Sequence, residues 1–124
     1  MLASRVRLFA ATLVLHGCAA VPTADGQRLA LTSPEFRAYV ERVFREQNRV
    51  ADALAFALEA AAAPTAELAA AEQSLLEACA GVNELATARR DERRLRLRRR
   101  AASARSVPAC ERATVEAVKL LPGS

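Results

Sequence analysis

Four kinds of residue in this 124-residue chain could carry chemistry: three cysteines at positions 18, 79 and 110, a single His16, a run of arginines, and the scattered carboxylates. The arginines are the densest feature. Residues 89–105 hold Arg89, Arg90, Arg93, Arg94, Arg96, Arg98, Arg99, Arg100 and Arg105 against only Asp91 and Glu92, a net charge of +7. A guanidinium pairs bidentately with phosphate or carboxylate, so such a cluster is chemistry for an anionic partner. Cys18 sits elsewhere, at the end of a short apolar run. Leu8-Phe9-Ala10-Ala11-Thr12-Leu13-Val14-Leu15 follows Arg5 and Arg7. A run of eight residues falls far below the roughly 20 that a bilayer-spanning helix needs. A basic flank followed by such a run is the pattern of a targeting segment. The basic flank at the extreme N-terminus also argues against a buried core helix.

The run ends in Leu15-His16-Gly17-Cys18, which resembles the bacterial lipobox: Leu at −3, a small residue at −1, then the modified cysteine. His16 stands where a small residue is usual. The resemblance covers the first 18 residues. It implies a lipoprotein precursor cut before Cys18, with a diacylglyceryl thioether on that sulfur and an acyl chain such as palmitate on the new amine. One acyl chain binds a membrane only marginally, so a three-chain anchor holds without help from the protein. Ala19 is not the Asp that usually marks inner-membrane retention, which implies the periplasmic face of the outer membrane. An ordinary secretory signal cut near Ala19-Ala20 and an uncleaved anchor are the alternatives. The whole chain also resembles small uncharacterised helical lipoproteins of proteobacteria, through Pro34-Glu35-Phe36 and Leu76-Glu77-Ala78-Cys79. That group brings no activity with it.

Removing residues 1–17 changes what the rest can do. The only His leaves, so no Ser-His-Asp or Cys-His set and no His-based zinc site can form. There is no Gly-rich phosphate loop. Asp91-Glu92 lies in an arginine field and reads as salt-bridged rather than catalytic. The expectation is a protein without enzymatic activity, metal or cofactor beyond the covalent lipid. The basic count falls from 18 to 16 against 14 acidic residues, so everything outside 89–105 in the mature chain sums to −5. The molecule is bipolar rather than uniformly basic. No aromatic interleaves the arginines, so stacking on single-stranded nucleic acid is unsupported, and the targeting segment argues against nucleic acid altogether. An acidic protein, an acidic glycan, or a membrane surface of anionic lipid or lipid A phosphates remains as partner for segment 89–105. The plainer alternative is internal pairing of the arginines with Glu41, Glu46, Glu67, Glu77 and Glu84.

The elements that must position these residues read as helices. Ala, Leu, Glu and Arg dominate, Gly is scarce, and alternating β-branched runs are absent. Residues 18–32, with Val21-Pro22-Thr23-Ala24-Asp25-Gly26-Gln27, read as a lipidated N-terminus and flexible tether. Residues 33–124 read as an all-α domain, a small antiparallel bundle of three to four helices. Ser33 or Thr32 caps the first, with Pro34 at its first position and Glu35 in its first turn. Its seam is Phe36, Val40, Val43, Gln47, Val50, Leu54 and Ala57, spaced alternately by four and three. Tyr39, Phe44, Ala51 and Leu58 widen the stripe toward bundle packing. Pro64-Thr65 ends that helix and caps the second. The second seam is Leu68, Glu72, Leu75, Cys79, Val82 and Ala86, flanked by Leu76 and Leu85. Leu95, Leu97 and Ala101-Ala102 give the arginine segment a thin apolar side. Ser106-Val107-Pro108 reads as the start of a last helix that ends at Pro122-Gly123.

With Cys18 assigned to lipid, Cys79 and Cys110 remain as an even pair in a compartment that permits disulfides. Two buried free thiols are the alternative. A bridge would decide the topology. If 65–104 were one helix, Cys79 would lie about 37 Å from its end, and Cys110 could not reach back. A bridge requires the chain to reverse near 90–92. Propensity alone prefers the long helix, and the reversal is the reading adopted.

Overall fold

The computed structural model describes residues 19–61 and 65–123. The lipobox residues and Pro64 lie outside the described residues. The architecture is a small all-α bundle: a short hairpin of β1 (Ala20–Pro22) and β2 (Arg28–Ala30), then helices α1 (Pro34–Ala60), α2 (Ala66–Arg90) and α3 (Leu97–Val118).

The hairpin corrects the reading of 18–32 as a flexible tether. β1 pairs antiparallel with β2, Val21 opposite Leu29. Gly26 takes φ 87°, and its N–H donates to the Thr23 carbonyl at 3.1 Å. A left-handed residue at this point of the turn is where glycine has no Cβ penalty. A two-stranded hairpin is marginal alone. Here Val21 is buried in the helical core, with Leu29 and Leu31 packed against it. The turn residues carry the loop signal, but Val21 and Leu29 sit between more exposed neighbours and give the strand pair an inner face.

α1 begins as its sequence dictates. Ser33 Oγ accepts from Phe36 N–H at 3.1 Å, and Pro34 occupies the first turn. Its buried stripe is Phe36, Tyr39, Val43, Gln47, Val50 and Leu54. Tyr39 stands in the place expected for Val40, because its phenol donates to Glu111 of α3 at 2.6 Å and its ring lies against Phe36. Thr65 caps α2, its Oγ1 accepting from Leu68 N–H at 3.2 Å. Leu75, Cys79, Val82 and Ala88 face the core, whereas Leu76 is exposed. Gln47 is 3% exposed and donates to Asn83 of α2 at 2.8 Å, a buried polar seam contact.

α2 stops at Arg90 without a proline or glycine. Glu92 takes φ 51°, its N–H donates to the Arg89 carbonyl at 3.2 Å, and Arg93 N–H donates to the Ala88 carbonyl at 2.8 Å. These two bonds form a Schellman closure with Glu92 at the left-handed position. A continuous helix would stack Arg89 on Arg93, Arg90 on Arg94, Arg94 on Arg98 and Arg96 on Arg100. Each like-charge pair four apart costs about 0.2–0.5 kcal/mol, so the arginines themselves weaken the long-helix alternative. The chain reverses where the cysteine argument requires.

α3 corrects the expected fresh start at Pro108. The helix is continuous from Leu97, and Pro108 is buried inside it. A mid-helix proline removes one backbone bond and costs about 3 kcal/mol in an isolated helix. The buried face of Ser103, Ala104, Val107, Cys110, Thr114 and Ala117 spans both sides of the proline and holds the two halves in line. The helix pairs are antiparallel in sequence order. Glu41 meets Arg89, while Gln47 meets Asn83; Glu84 meets Ser103, while Cys79 meets Cys110. The start of α1, the end of α2 and the start of α3 therefore share one end of the bundle.

Candidate anion-binding surface

The cysteines come together where the topology needs them. Cys79 and Cys110 are fully buried, their Cα atoms 4.5 Å apart and their sulfurs at disulfide distance. Cys18 lies outside the described residues. Small residues bring α2 and α3 close beside this pair. A Cβ added to Gly81 would stand 2.2 Å from Ser106 Oγ and 3.0 Å from Ser103 Cα.

The nine arginines divide by position. Three are paired: Arg89 with Glu41, Arg90 with Asp91 at 3.0 Å, and Arg99 with Glu84. Arg93, Arg94, Arg96, Arg98, Arg100 and Arg105 have no ion pair among the described residues, and all are exposed. Internal pairing thus involves Glu41 and Glu84 of the five carboxylates considered. Glu46 instead pairs with Arg49 at 2.6 Å, and Glu77 accepts from Gln73.

Five of the six unpaired guanidiniums lie within residues 93–100, at the shared end of the bundle. Residues 93–96 are non-helical, and α3 opens at Leu97 without a side-chain cap and without an acid in its first turn. The positive end of that helix dipole adds to the arginine field rather than being neutralised. Leu97 is 83% exposed in the middle of the cluster. It does not join the thin apolar side expected for it, because the reversal places it at the outer corner rather than on a helix face.

An open groove of about 600 Å³ lies beside the cluster, between α2 and α3, with Arg93, Arg99, Asn83, Glu84 and Ser103 among its lining. Its floor is acidic. Glu84 Oε2 accepts from Ser103 Oγ at 2.9 Å. Glu84 Oε1 lies against Arg99 Nε as a close ionic contact, although the alignment is not that of a hydrogen bond. An anion entering the groove would meet this carboxylate, so the outer arginines, not the groove, are the candidate anion-binding surface.

A second polar cluster escaped sequence reasoning. Arg42 pairs with Glu111 at 2.9 Å and lies over the Tyr39 ring, 5.3 Å from its centroid. Burial, then the Glu111 bond, pushes the Tyr39 phenol well above its ordinary range. The partners are 72 residues apart in sequence, so no local pattern could reveal them. Among the described residues, no group of His, Cys, Asp and Glu is placed to hold a metal ion, and no helix is long and apolar enough to cross a membrane.

No family model, curated protein or solved structure matches the chain. Its own geometry therefore carries the functional reading.

Proposed function

We propose that this is a non-enzymatic lipoprotein of the bacterial envelope, anchored through lipid on Cys18, whose helical bundle serves as a binding or scaffold module. The anchor reading rests on the lipobox-like Leu15-His16-Gly17-Cys18. The observation that carries the binding role is the group of exposed arginines in 93–100 that have no ion pair among the described residues. Solvated arginines gathered at one end, rather than spread among the acidic faces, are a surface for an anionic partner. The disulfide-distance cysteines stiffen the two helices that present it. On this reading the protein is held at the periplasmic face of the outer membrane and acts by contact, not by turnover.

Affinity capture from the cell envelope tests the binding role, using the parent and a variant with Arg93, Arg94, Arg96, Arg98 and Arg100 all changed to Gln. The variant is expected to lose partners that the parent retains. Identical partner sets would sink the arginine-mediated role.

A further inference from the structure

We infer that the 93–100 turn contacts the phosphates of anionic phospholipid, seating the bundle end-on upon the membrane that holds its anchor. The inference rests on the proposed lipidation of Cys18 and goes beyond it by giving the bundle an orientation and the arginines a ligand.

Three observations converge. The residues that follow Cys18 are tied into the fold: the Ala19 carbonyl accepts from Leu31 N–H at 2.8 Å, and Val21 is buried in the core. A lipid on Cys18 would therefore hold the bundle against the headgroups with no long tether between them. Next, the hairpin base sits at the shared end. Leu31 lies two residues before the α1 cap Ser33, and Arg89 at the end of α2 pairs with Glu41. Ser33 to Glu41 spans only about 12 Å along a helix axis. The arginine turn thus lies on the side of the molecule where the anchor enters. Finally, the turn combines five guanidiniums that have no ion pair among the described residues with Leu97, an exposed apolar side chain among them. Arginine binds phosphate bidentately, and an apolar side chain within a basic surface enters the boundary between headgroup and acyl chain. Basic residues close to an anionic leaflet are attracted individually, and the attraction fades within a Debye length. The anchor would keep this surface inside that distance. An acidic protein would neutralise the arginines equally well, but would gain nothing from their placement beside the anchor.

The test uses the full mature chain as extracted from the cell envelope, in phosphatidylcholine vesicles with or without phosphatidylglycerol. An environment-sensitive fluorophore is attached through Leu97→Cys, or through Glu67→Cys in the exposed first turn of α2 at the opposite end. With phosphatidylglycerol present, the probe at 97 is expected to shift to the blue and become severalfold less accessible to an aqueous quencher. High salt should reverse both changes, and the probe at 67 should show neither. Changing Arg93, Arg94, Arg96, Arg98 and Arg100 to Gln should abolish the response at 97 while the protein stays on the vesicles. A probe at 97 as accessible as that at 67 on phosphatidylglycerol vesicles overturns the inference and leaves an acidic protein as partner. Retention on phosphatidylcholine alone reports the anchor separately. Binding only when phosphatidylglycerol is present, with the response at 97, would keep the arginine contact and remove the anchor. Loss from both vesicle types would remove both.

Discussion

Cys79, midway along α2, faces Cys110, midway along α3, with Cα atoms 4.5 Å apart and neither residue exposed. A bond between them closes a loop with a sequence separation of 31, which spans the arginine turn. Constraining a loop of that size in the unfolded chain stabilises by about 3–4 kcal/mol in the chain-entropy model. Reduction, or Cys79→Ala combined with Cys110→Ala, should lower the melting temperature by at least roughly 12 °C for a domain of this size. Thermal unfolding with and without reductant checks this. Equal midpoints would show that the bridge contributes nothing.

Gln47 and Asn83 form the polar contact in the α1–α2 seam. Gln47→Ala removes the donor from the half-buried Asn83 oxygen and opens a void, which should cost about 1–3 kcal/mol. Replacing both residues by Leu removes donor and acceptor together and should stay within about 1 kcal/mol of the parent. A double-mutant cycle by urea unfolding measures the difference. A double variant as damaged as the single one would contradict the pairing.

Gly81 permits the close approach of α2 to α3. Gly81→Ala would drive a Cβ against Ser106 Oγ and the Ser103 backbone, at a cost of about 1–3 kcal/mol for an overpacked site. Ser106→Ala removes the nearer obstacle, so the combined variant should be more stable than Gly81→Ala alone. Strict additivity of the two losses in urea would argue against this contact.

Tyr39 is the only tyrosine, so tyrosinate absorbance reports it alone. Its folded pKa is raised by burial and by the Glu111 bond, whereas an unfolded tyrosine titrates near about 10. The folded state therefore holds the phenolic proton more tightly. The associated stability is complete below about pH 10 and is lost as pH rises through the folded value. Folded protein should resist ionisation above that pH, whereas protein in urea should not. Tyr39→Phe should remove this part of the alkaline loss of stability. Ordinary titration in the folded state would rule out the buried bond.

Much of the helical frame was legible. Ser33-Pro34-Glu35 and Thr65 cap where local chemistry places them, and the spacing from Phe36 to Leu54 marks the inner face of α1. The reversal was legible only through Cys79 and Cys110, because no glycine or proline marks it and Glu92 adopts the left-handed position itself. Pro108 misled because local propensity opposes a helix there, while buried side chains on both sides of it carry the helix through. The hairpin was hidden by its turn residues, which also suit a loop, and by the brevity of its strands. Within the candidate surface, composition located the arginines. Which of them are free depended on Glu41 and Glu84, whose positions only tertiary packing sets. Leu97 needed the turn itself, since its exposure follows from the corner and not from its neighbours in sequence.

The proposed anchor on Cys18 underlies both the proposed location of the protein and the orientation inferred for its arginine turn. Mass spectrometry of the N-terminal peptide, from protein extracted from the cell envelope, tests it most directly. The expected chain begins at Cys18, carries a diacylglyceryl thioether and an acylated amine, and lacks residues 1–17. A chain cut near Ala19-Ala20, or one retaining residues 1–17 with an unmodified Cys18, would contradict it.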